Sequence, residues 1–394
     1  MNTHDAIVIG AGVIGCSVAY HLARFGAKRV LVLDRTQIGA GTTAQSSGIL
    51  RTHYSVAENV ALAQSSWQVF ADFAGYLGDE EASSGLVRCG YLIAAPEGPK
   101  LQPLREALAG QQARGIEVQL LDRTAASALL PIAQFDDSAL IGFEPEAGFA
   151  DAYLVATGFA RAARRLGAKI VEGVEVHTLL TDQGRVTGVD TSQGRFTADV
   201  VVSTQNIWSQ DIARWTGIEA PVVPERHRVL TLQGAAPYTF SMPVFKDLGS
   251  PGMLYCRSSG GVQMLVSEGI SGEVLPAPDN EPGEVSMDCV IEVATQVAER
   301  FPPFAEAGLA ASWTGVYDVT PDSNPVLGRL PEVPGLVVGY GFSGHGFKLS
   351  PAVGRVLAQT ALGLPTDVSL APYALERFRT GRLLTGKYGP GAVS

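Results

Sequence analysis

Gly10, Gly12 and Gly15 follow a short apolar run, residues 6–9, and overlap the start of a stretch with helical periodicity, Val13 to Arg24. Asp34 stands nineteen residues beyond the last glycine, at the end of a second apolar run from Arg29 to Leu33. Each glycine meets a different steric need: a tight turn at Gly10, backbone room at Gly12, close helix–strand contact at Gly15. A helix start presents free N–H groups, those of Val13 and Ile14 here, and a partial positive charge that suits phosphate. Asp34, with Arg35 beside it, is placed to hold a ribose hydroxyl pair. Strand, glycine turn, helix and acid at these distances point to a dinucleotide. A glycine turn that merely closes a strand–helix–strand unit is the bland alternative.

A second cluster lies near the C-terminus, where Gly341-Phe-Ser-Gly-His-Gly-Phe-Lys348-Leu-Ser-Pro351 runs into an apolar helix to about Leu362. Gly344, His345, Gly346, Phe347 and Lys348 again put a glycine-rich loop at a helix start, and Pro351 suits a first turn. Two such starts in one chain suggest a large ligand gripped at both ends. Between them, the small-residue loop Gly39 to Gly48 carries hydroxyl donors, Thr43, Ser46 and Ser47 among them, and suits a second pass of backbone beside that ligand. Read as a surface linker, the loop fits poorly with the apolar Ile49-Leu50 that follows. Arg51 comes next. It reads either as a ligand cation or as half of a structural ion pair, since arginines outnumber lysines 23 to 6.

His53, Tyr54, Tyr255 and Arg257 are weaker pocket candidates, equally readable as residues facing solvent or core. Asp322, between Thr320-Pro321 and Asn324-Pro325, reads as a turn former. His4, His21 and His177 have no partner spacing for a metal, and none is expected.

The 394 residues exceed one compact core, so two domains are expected. Hydrophobic content of 46% against 17% charged is that of a well-buried enzyme rather than a disordered chain. A net charge of −10 without a basic run argues against nucleic acid. Cys16, Cys89, Cys256 and Cys289 form no C-x-x-C pair and read as reduced thiols of a cytoplasmic protein. No uninterrupted apolar stretch is long enough for a membrane span, and residues 6–9 are too short for a signal core.

The remaining elements follow from periodicity. Residues 55–77 read as one helix with a serine cap, and 87–94 as a strand. A break over 96–103 precedes helices at 104–115 and from Thr124 to before Pro131. After the return near Gly148 come helix 153–166 and strands at 169–171, 174–180 and 196–203. Val174 or Val176 could meet an adenine through the backbone. Residues 223–313 look antiparallel, with strands at 227–232, 253–257 and 262–267, followed by a helix from Met287 to Arg300. A strand at 335–340 leads into the second glycine loop.

Together these residues resemble the FAD-dependent amine and amino-acid oxidoreductases of the D-amino-acid oxidase superfamily, closest to the sarcosine oxidase and glycine oxidase branch. The match runs over essentially the whole length: the glycine turn with Asp34, the Ser46-Ser-Gly48 loop, Arg51, the Thr-Pro-Asp stretch and Gly-Phe-Ser-Gly-His-Gly-Phe-Lys348. The resemblance implies an α/β, overall α+β, fold. A Rossmann-like FAD domain would be assembled from 1–85, 146–222 and 314–394. An antiparallel-sheet substrate domain would comprise 86–145 and 223–313.

It implies oxidation of the C–N bond of a small amino acid or N-alkyl amino acid to an imine, which water hydrolyses. Gly10, Gly12, Gly15 and Asp34 match the pyrophosphate and ribose positions, and Ser47 and Gly48 the loop beside the flavin. The segment Gly344 to Lys348, His345 included, matches the loop at the pyrimidine edge. Arg51 and Lys348 match the pair of cations that holds a substrate carboxylate. Gly315 stands at about the place where monomeric sarcosine oxidase tethers its flavin through cysteine, so FAD is expected to be non-covalent. Gln263 stands near the place of a lysine that assists oxygen there, and only Lys246 is close in sequence. The electron acceptor is therefore either oxygen or a partner protein. The alternative is a dehydrogenase subunit of a multi-chain complex, within a homo- or hetero-oligomer.

Overall fold

Alternation along the first strand, Thr3–Ile9, sets the layering of one half of the molecule. Ala6 and Val8 join a core shared with helices Val13–Arg24, Ala152–Arg165 and Gly346–Leu362, while Ile7 and Ile9 join a second core on the opposite face. A computed structural model describes residues 3–270, 272–278 and 283–386. Residues 271, 279–282 and 387–394, which belong to the expected segments 223–313 and 314–394, lie outside the described residues.

Thr3–Ile9 sits inside an eight-stranded sheet. It pairs in parallel with Val30–Leu33 on one side and Gly194–Ser203 on the other. Lys169–Val171 and Leu336–Tyr340 extend the parallel part at either end. Val176–Asp182 and Arg185–Thr191 form an antiparallel hairpin at the edge. The buried parallel strands read as continuous apolar runs because helices and hairpins cover both faces.

The second sheet has nine strands. Val223–Gln233 pairs antiparallel with Gln263–Ser267 and Gly308–Val319, and the sheet continues through Tyr255–Ser258, Val244–Asp247, Tyr91–Pro96 and Ser138–Glu144. Only the contact between Val244–Asp247 and Tyr91–Pro96 is parallel among its described pairs. Helix Met287–Arg300 covers the outer face, capped by Ser286, whose hydroxyl accepts from the Cys289 N–H. Strand Gly308–Val319 belongs whole to this sheet, so the division at 313/314 falls inside one strand. A three-stranded sheet, Ile49–Leu50, Gly148–Phe149 and Val87–Arg88, marks where the chain crosses between the two halves.

Several local expectations are corrected. The helix over 55–77 is two, Ala57–Ala71 and Phe73–Leu77. Asp72 interrupts it because its carboxylate accepts from the Gly75 N–H and caps a new start. Ser55 is not the cap, since Val56 occupies that position. The strand over 87–94 divides at Gly90, where φ is +79° and a Cβ would lie 2.3 Å from the Phe143 ring. Pro103 does not end a break but sits in the first turn of helix Leu101–Gln112, where its missing N–H costs nothing. Pro351 is in the second turn of Gly346–Leu362, not the first, so the Phe347 carbonyl loses its helical partner.

His21 is fully buried in the first core. Its Nδ1 donates to the Ser17 carbonyl at 2.7 Å and its Nε2 accepts from the Tyr76 hydroxyl at 2.7 Å, which holds the ring neutral. Burial pushes its pKa down to about 3, that of His53 to about 3, that of His227 to about 4, and that of His345 well below the usual value. Unfolding therefore takes up protons below about pH 6.5, and the stability these rings contribute is lost as pH falls from 6.5 toward 3–4. Each ring adds a slope of roughly 1.4 kcal/mol per pH unit in that window, and Asp318 and Glu144, raised by burial, offset part of it. Urea denaturation at pH 5 and pH 6.5 should show the protein clearly more stable at the higher pH, and a flat profile would contradict neutral burial of these rings.

Candidate active site

Three cavities lie in series, each sharing lining residues with the next. The first, about 820 Å³, is bordered by Gly10, Gly12, Asp34, Arg35, Thr43 and Val176, together with Val174 and Trp208. The second, about 770 Å³, takes Gly12, Val13, Ile14 and Thr43 from one side and Ser46, Ser47, Gly315, Gly344, Gly346 and Phe347 from the others. Gly12, Thr43 and Thr204 border both, so the two are one elongated cleft. The third, about 390 Å³, opens beside the second at Ser47, Tyr317 and Gly344 and is lined by Arg51, Lys348, Lys246, Tyr91 and Tyr255.

The first cleft is built from the glycine turn. A Cβ at Gly15 would lie 1.8 Å from the Gly10 carbonyl oxygen, so only glycine lets the helix pack there. Gly15 therefore shapes the turn without bordering the cleft. Asp34 braces the same turn: Oδ2 accepts from the Ala11 N–H at 2.7 Å, and Oδ1 accepts from the Thr36 N–H at 2.7 Å and its hydroxyl at 2.9 Å. Three of the carboxylate's roughly four acceptor sites are thereby used, and the one that remains, on Oδ2, is left for a ligand. Arg35 stacks over Trp208, 4.1 Å from its ring centre, and walls the far end. Thr43 Oγ1 accepts from the Val13 N–H at 3.1 Å and ties the small-residue loop to the helix start.

The second cleft is held by residues that sequence reading missed. The Val316 N–H donates to Gln45 Oε1 at 3.0 Å, fixing the loop to strand Gly308–Val319. Asp318, two residues further along that strand, accepts from the Gly341 and Phe342 N–H groups, and burial pushes its pKa up to about 6. That carboxylate anchors the second glycine loop. Gly344 has φ +82° and faces the Tyr317 ring, where a Cβ would come within 2.6 Å. Gly48 likewise needs its φ of +72°, because a Cβ would lie 2.2 Å from the Ala150 carbonyl oxygen; it shapes the loop and borders none of the three cavities.

Around the third cavity, Arg51 donates to the His53 carbonyl and lies over the Tyr54 and Tyr91 rings at 4.8 and 5.7 Å. Lys348 Nζ donates to the Gly344 carbonyl at 3.3 Å. Burial first, then Arg51 and Lys246, holds its pKa well below the usual lysine value. Lys246 arrives from strand Val244–Asp247, and burial followed by Arg51 pushes its pKa down to about 7. Tyr255 and Tyr317 hydrogen-bond to each other, and Tyr317 stacks on His227 at 4.0 Å. A lysine in the apolar segment Pro243-Val-Phe-Lys246 was the signal available for Lys246.

Other expected residues sit elsewhere. His345 turns its ring away from the cavities onto Tyr54, with Nδ1 at 3.0 Å from the hydroxyl and ring centres 5.2 Å apart. His53 and Tyr54 support Arg51 from behind, His53 Nδ1 lying 2.7 Å from Gln111 Oε1. Arg257 donates to the Ser47 carbonyl at 2.7 Å and stacks on Phe149 instead of facing the cavity. Gln263 lies on an inner strand opposite Gln233 and borders none of the three. Asp322 is a buried turn residue paired with Arg377 at 2.7 Å.

The family model for FAD dependent oxidoreductases matches residues 5–360. The sarcosine oxidase subunit beta of an Arthrobacter species is 27% identical over 100% of this chain and 95% of that protein. The 4-methylaminobutanoate oxidase (formaldehyde-forming) of Paenarthrobacter nicotinovorans is 27% identical over 96% of this chain, which spans only 46% of that protein. Among solved structures, the L-proline dehydrogenase from P. horikoshii superposes with a TM-score of 0.88 at 25% identity, covering 97% of this chain and 99% of that one. The chain belongs to the FAD-dependent oxidoreductase family, and FAD is its cofactor.

The elongated cleft fits that cofactor. One helix start borders it midway and another at the end opposite Arg35, and glycines stand where side chains would fill it. Removing the Asp34 carboxylate in Asp34→Ala frees the Ala11 N–H and deletes a charged acceptor worth about 1.5–3 kcal/mol per hydrogen bond. FAD affinity should fall by about one to two orders of magnitude with the fold retained. Titration of the apoprotein with FAD, followed by flavin fluorescence, measures this; an unchanged dissociation constant would remove Asp34 from the site.

Proposed function

We propose that this enzyme oxidises the C–N bond of a small amino acid or N-alkyl amino acid, sarcosine-, glycine- or proline-like, to an imine that water hydrolyses. The observation that carries the reading is the third cavity. Arg51 and Lys348 are buried there, beside the flavin cleft, and no carboxylate side chain lines it among the described residues. Such a pocket binds a carboxylate and orients the carbon next to it toward the cleft, and orientation alone is a large part of a barrier. The same cations disfavour an ammonium and keep the substrate amine unprotonated. FAD supplies, when bound, the acceptor for the hydride that leaves carbon. The positive end of helix Gly346–Leu362 borders the flavin cleft at Gly344–Phe347 and favours negative charge there.

Non-covalent attachment of FAD is supported by Gly315, which borders the cleft without a side chain, and by four cysteines that line neither cleft. All four cysteines are unpaired, which favours a cytoplasmic location. No helix among the described residues is long and apolar enough to cross a membrane. Acid precipitation should release all the flavin as free FAD, and yellow colour retained on the denatured protein would contradict this.

A second reading, a dehydrogenase subunit that passes electrons to a partner chain, is favoured by the full-length likeness to a protein named as a subunit. Anaerobic bleaching by substrate without peroxide formation in air would select it over an oxidase.

The carboxylate clamp is tested with Arg51→Met and Lys348→Met. A carboxylate held by buried cations loses several kcal/mol when one is neutralised, against under about 1 kcal/mol for an exposed pair. Stopped-flow reduction by a sub-saturating amino acid should slow by orders of magnitude, while the matching amine without a carboxylate is little affected. Wild-type rates in both variants would mean that the clamp is wrong.

A further inference from the structure

The third cavity holds more basic side chains than one carboxylate needs. Arg51 is 6% exposed, Lys348 8% and Lys246 5%, and all three line it. On strand Val244–Asp247 the side chains alternate. Val244 and Lys246 face the cavity side with Tyr91 and Tyr255, whereas Phe245 and Asp247 face the outer core. Asp247 is thus across the sheet from the Lys246 amine, held by Arg300 at 2.8 Å. Glu144, near Arg51, is taken by Thr52 at 2.7 and 2.8 Å, and burial raises its pKa. Lys100 adds further positive charge and donates to the Leu248 carbonyl. Lys246 Nζ donates to the Met253 carbonyl at 2.8 Å and lies 5.5 Å from the Tyr255 ring centre, with no carboxylate partner among the described residues. An ammonium has three donors, and a buried one without an anion is costly.

We propose that the substrate is an amino dicarboxylate, with one carboxylate held by Arg51 and Lys348 and the second by Lys246. This inference rests on the carboxylate clamp proposed above and adds the second anionic group. Lys246 is then the residue that sets specificity. Without a ligand its amine is poised near neutrality, since burial, Arg51 and Lys100 push its pKa down to about 7, and a bound anion restores the charge.

Binding to the FAD-loaded protein tests this without turnover, by perturbation of the flavin spectrum. The probes are two pairs of ligands that cannot be oxidised at a C–N bond. Thiodiacetate against (methylthio)acetate puts the second carboxylate beyond the heteroatom. Succinate against butyrate puts it on the carbon side. In the wild type, at least one diacid should bind ten- to a hundredfold more tightly than its monoacid mate. Lys246→Met should erase that preference, the diacid constant falling to that of its monoacid mate, and Lys246→Arg should keep part of it. The flavin spectrum and melting temperature of each variant report on folding, and the wild-type comparison stands whatever Lys246→Met does. No diacid preference in the wild type, or equal loss for both members of a pair in Lys246→Met, overturns the proposal. The clamp has its own control: if Arg51→Met and Lys348→Met leave monoacid binding unchanged, the reading beneath it fails first. If they weaken it and no diacid preference exists, only the second carboxylate is wrong.

Discussion

Like charges brought together on buried side chains repel, and Arg51, Lys246 and Lys348, each under a tenth exposed, line one cavity. Each comes from a different part of the chain: Arg51 follows the small crossing sheet, Lys246 lies on the antiparallel sheet, and Lys348 is in the last long helix. Bringing the two halves together therefore brings the three cations together. Neutral acceptors hold them, the carbonyls of His53, Met253 and Gly344, along with the faces of Tyr54, Tyr91 and Tyr255. A carbonyl or a ring satisfies a cation's geometry without cancelling its charge. The uncancelled charge is what a ligand anion meets.

The buried carboxylates nearby are kept from undoing this. Asp247 is turned to the outer face of its sheet and bound by Arg300. Glu144 and Asp318 accept from backbone and side-chain donors, and burial raises the pKa of both. Buried acids here brace loops, and the loops present cations. Breaking one brace would release both a turn and a charge, which makes such positions sensitive to substitution.

What could be read in the sequence was what lies contiguous in it. The glycine turn with Asp34, the loop at Thr43–Ser47 and the segment Gly344–Lys348 each pack their meaning into a few residues, and all border the cavities through some member. Tyr91 and Tyr317 were missed, and Lys246 was named only for its nearness in sequence to Gln263, because sheet register, not sequence distance, brings them to the site. Lys246 sits opposite both Ile93 and Tyr255, from strands far apart in the chain. His345 and Arg257 show the converse: both stand beside a motif, yet their side chains turn onto Tyr54 and Phe149, because proximity to a motif says nothing about which way a side chain turns. The split at Asp72 shows a local hydrogen bond overriding a continuous apolar period.

The two helix starts that border the flavin cleft are set relative to each other by packing far from it. Helices Val13–Arg24 and Gly346–Leu362 cross at Gly354, where a Cβ would lie 2.1 Å from the Ser17 hydroxyl oxygen. Glycine there lets the two axes approach closely, and the neighbouring His21, kept neutral by burial, is held in place by donating to the Ser17 carbonyl within the same turn. A wider crossing would separate the glycine turn from the Gly344–Phe347 loop. It would also move Lys348, which stands two residues into the same helix and bonds back to Gly344. Cofactor grip and substrate charge are thus carried by one rigid element, so the spacing that fits FAD also fixes the cations against it.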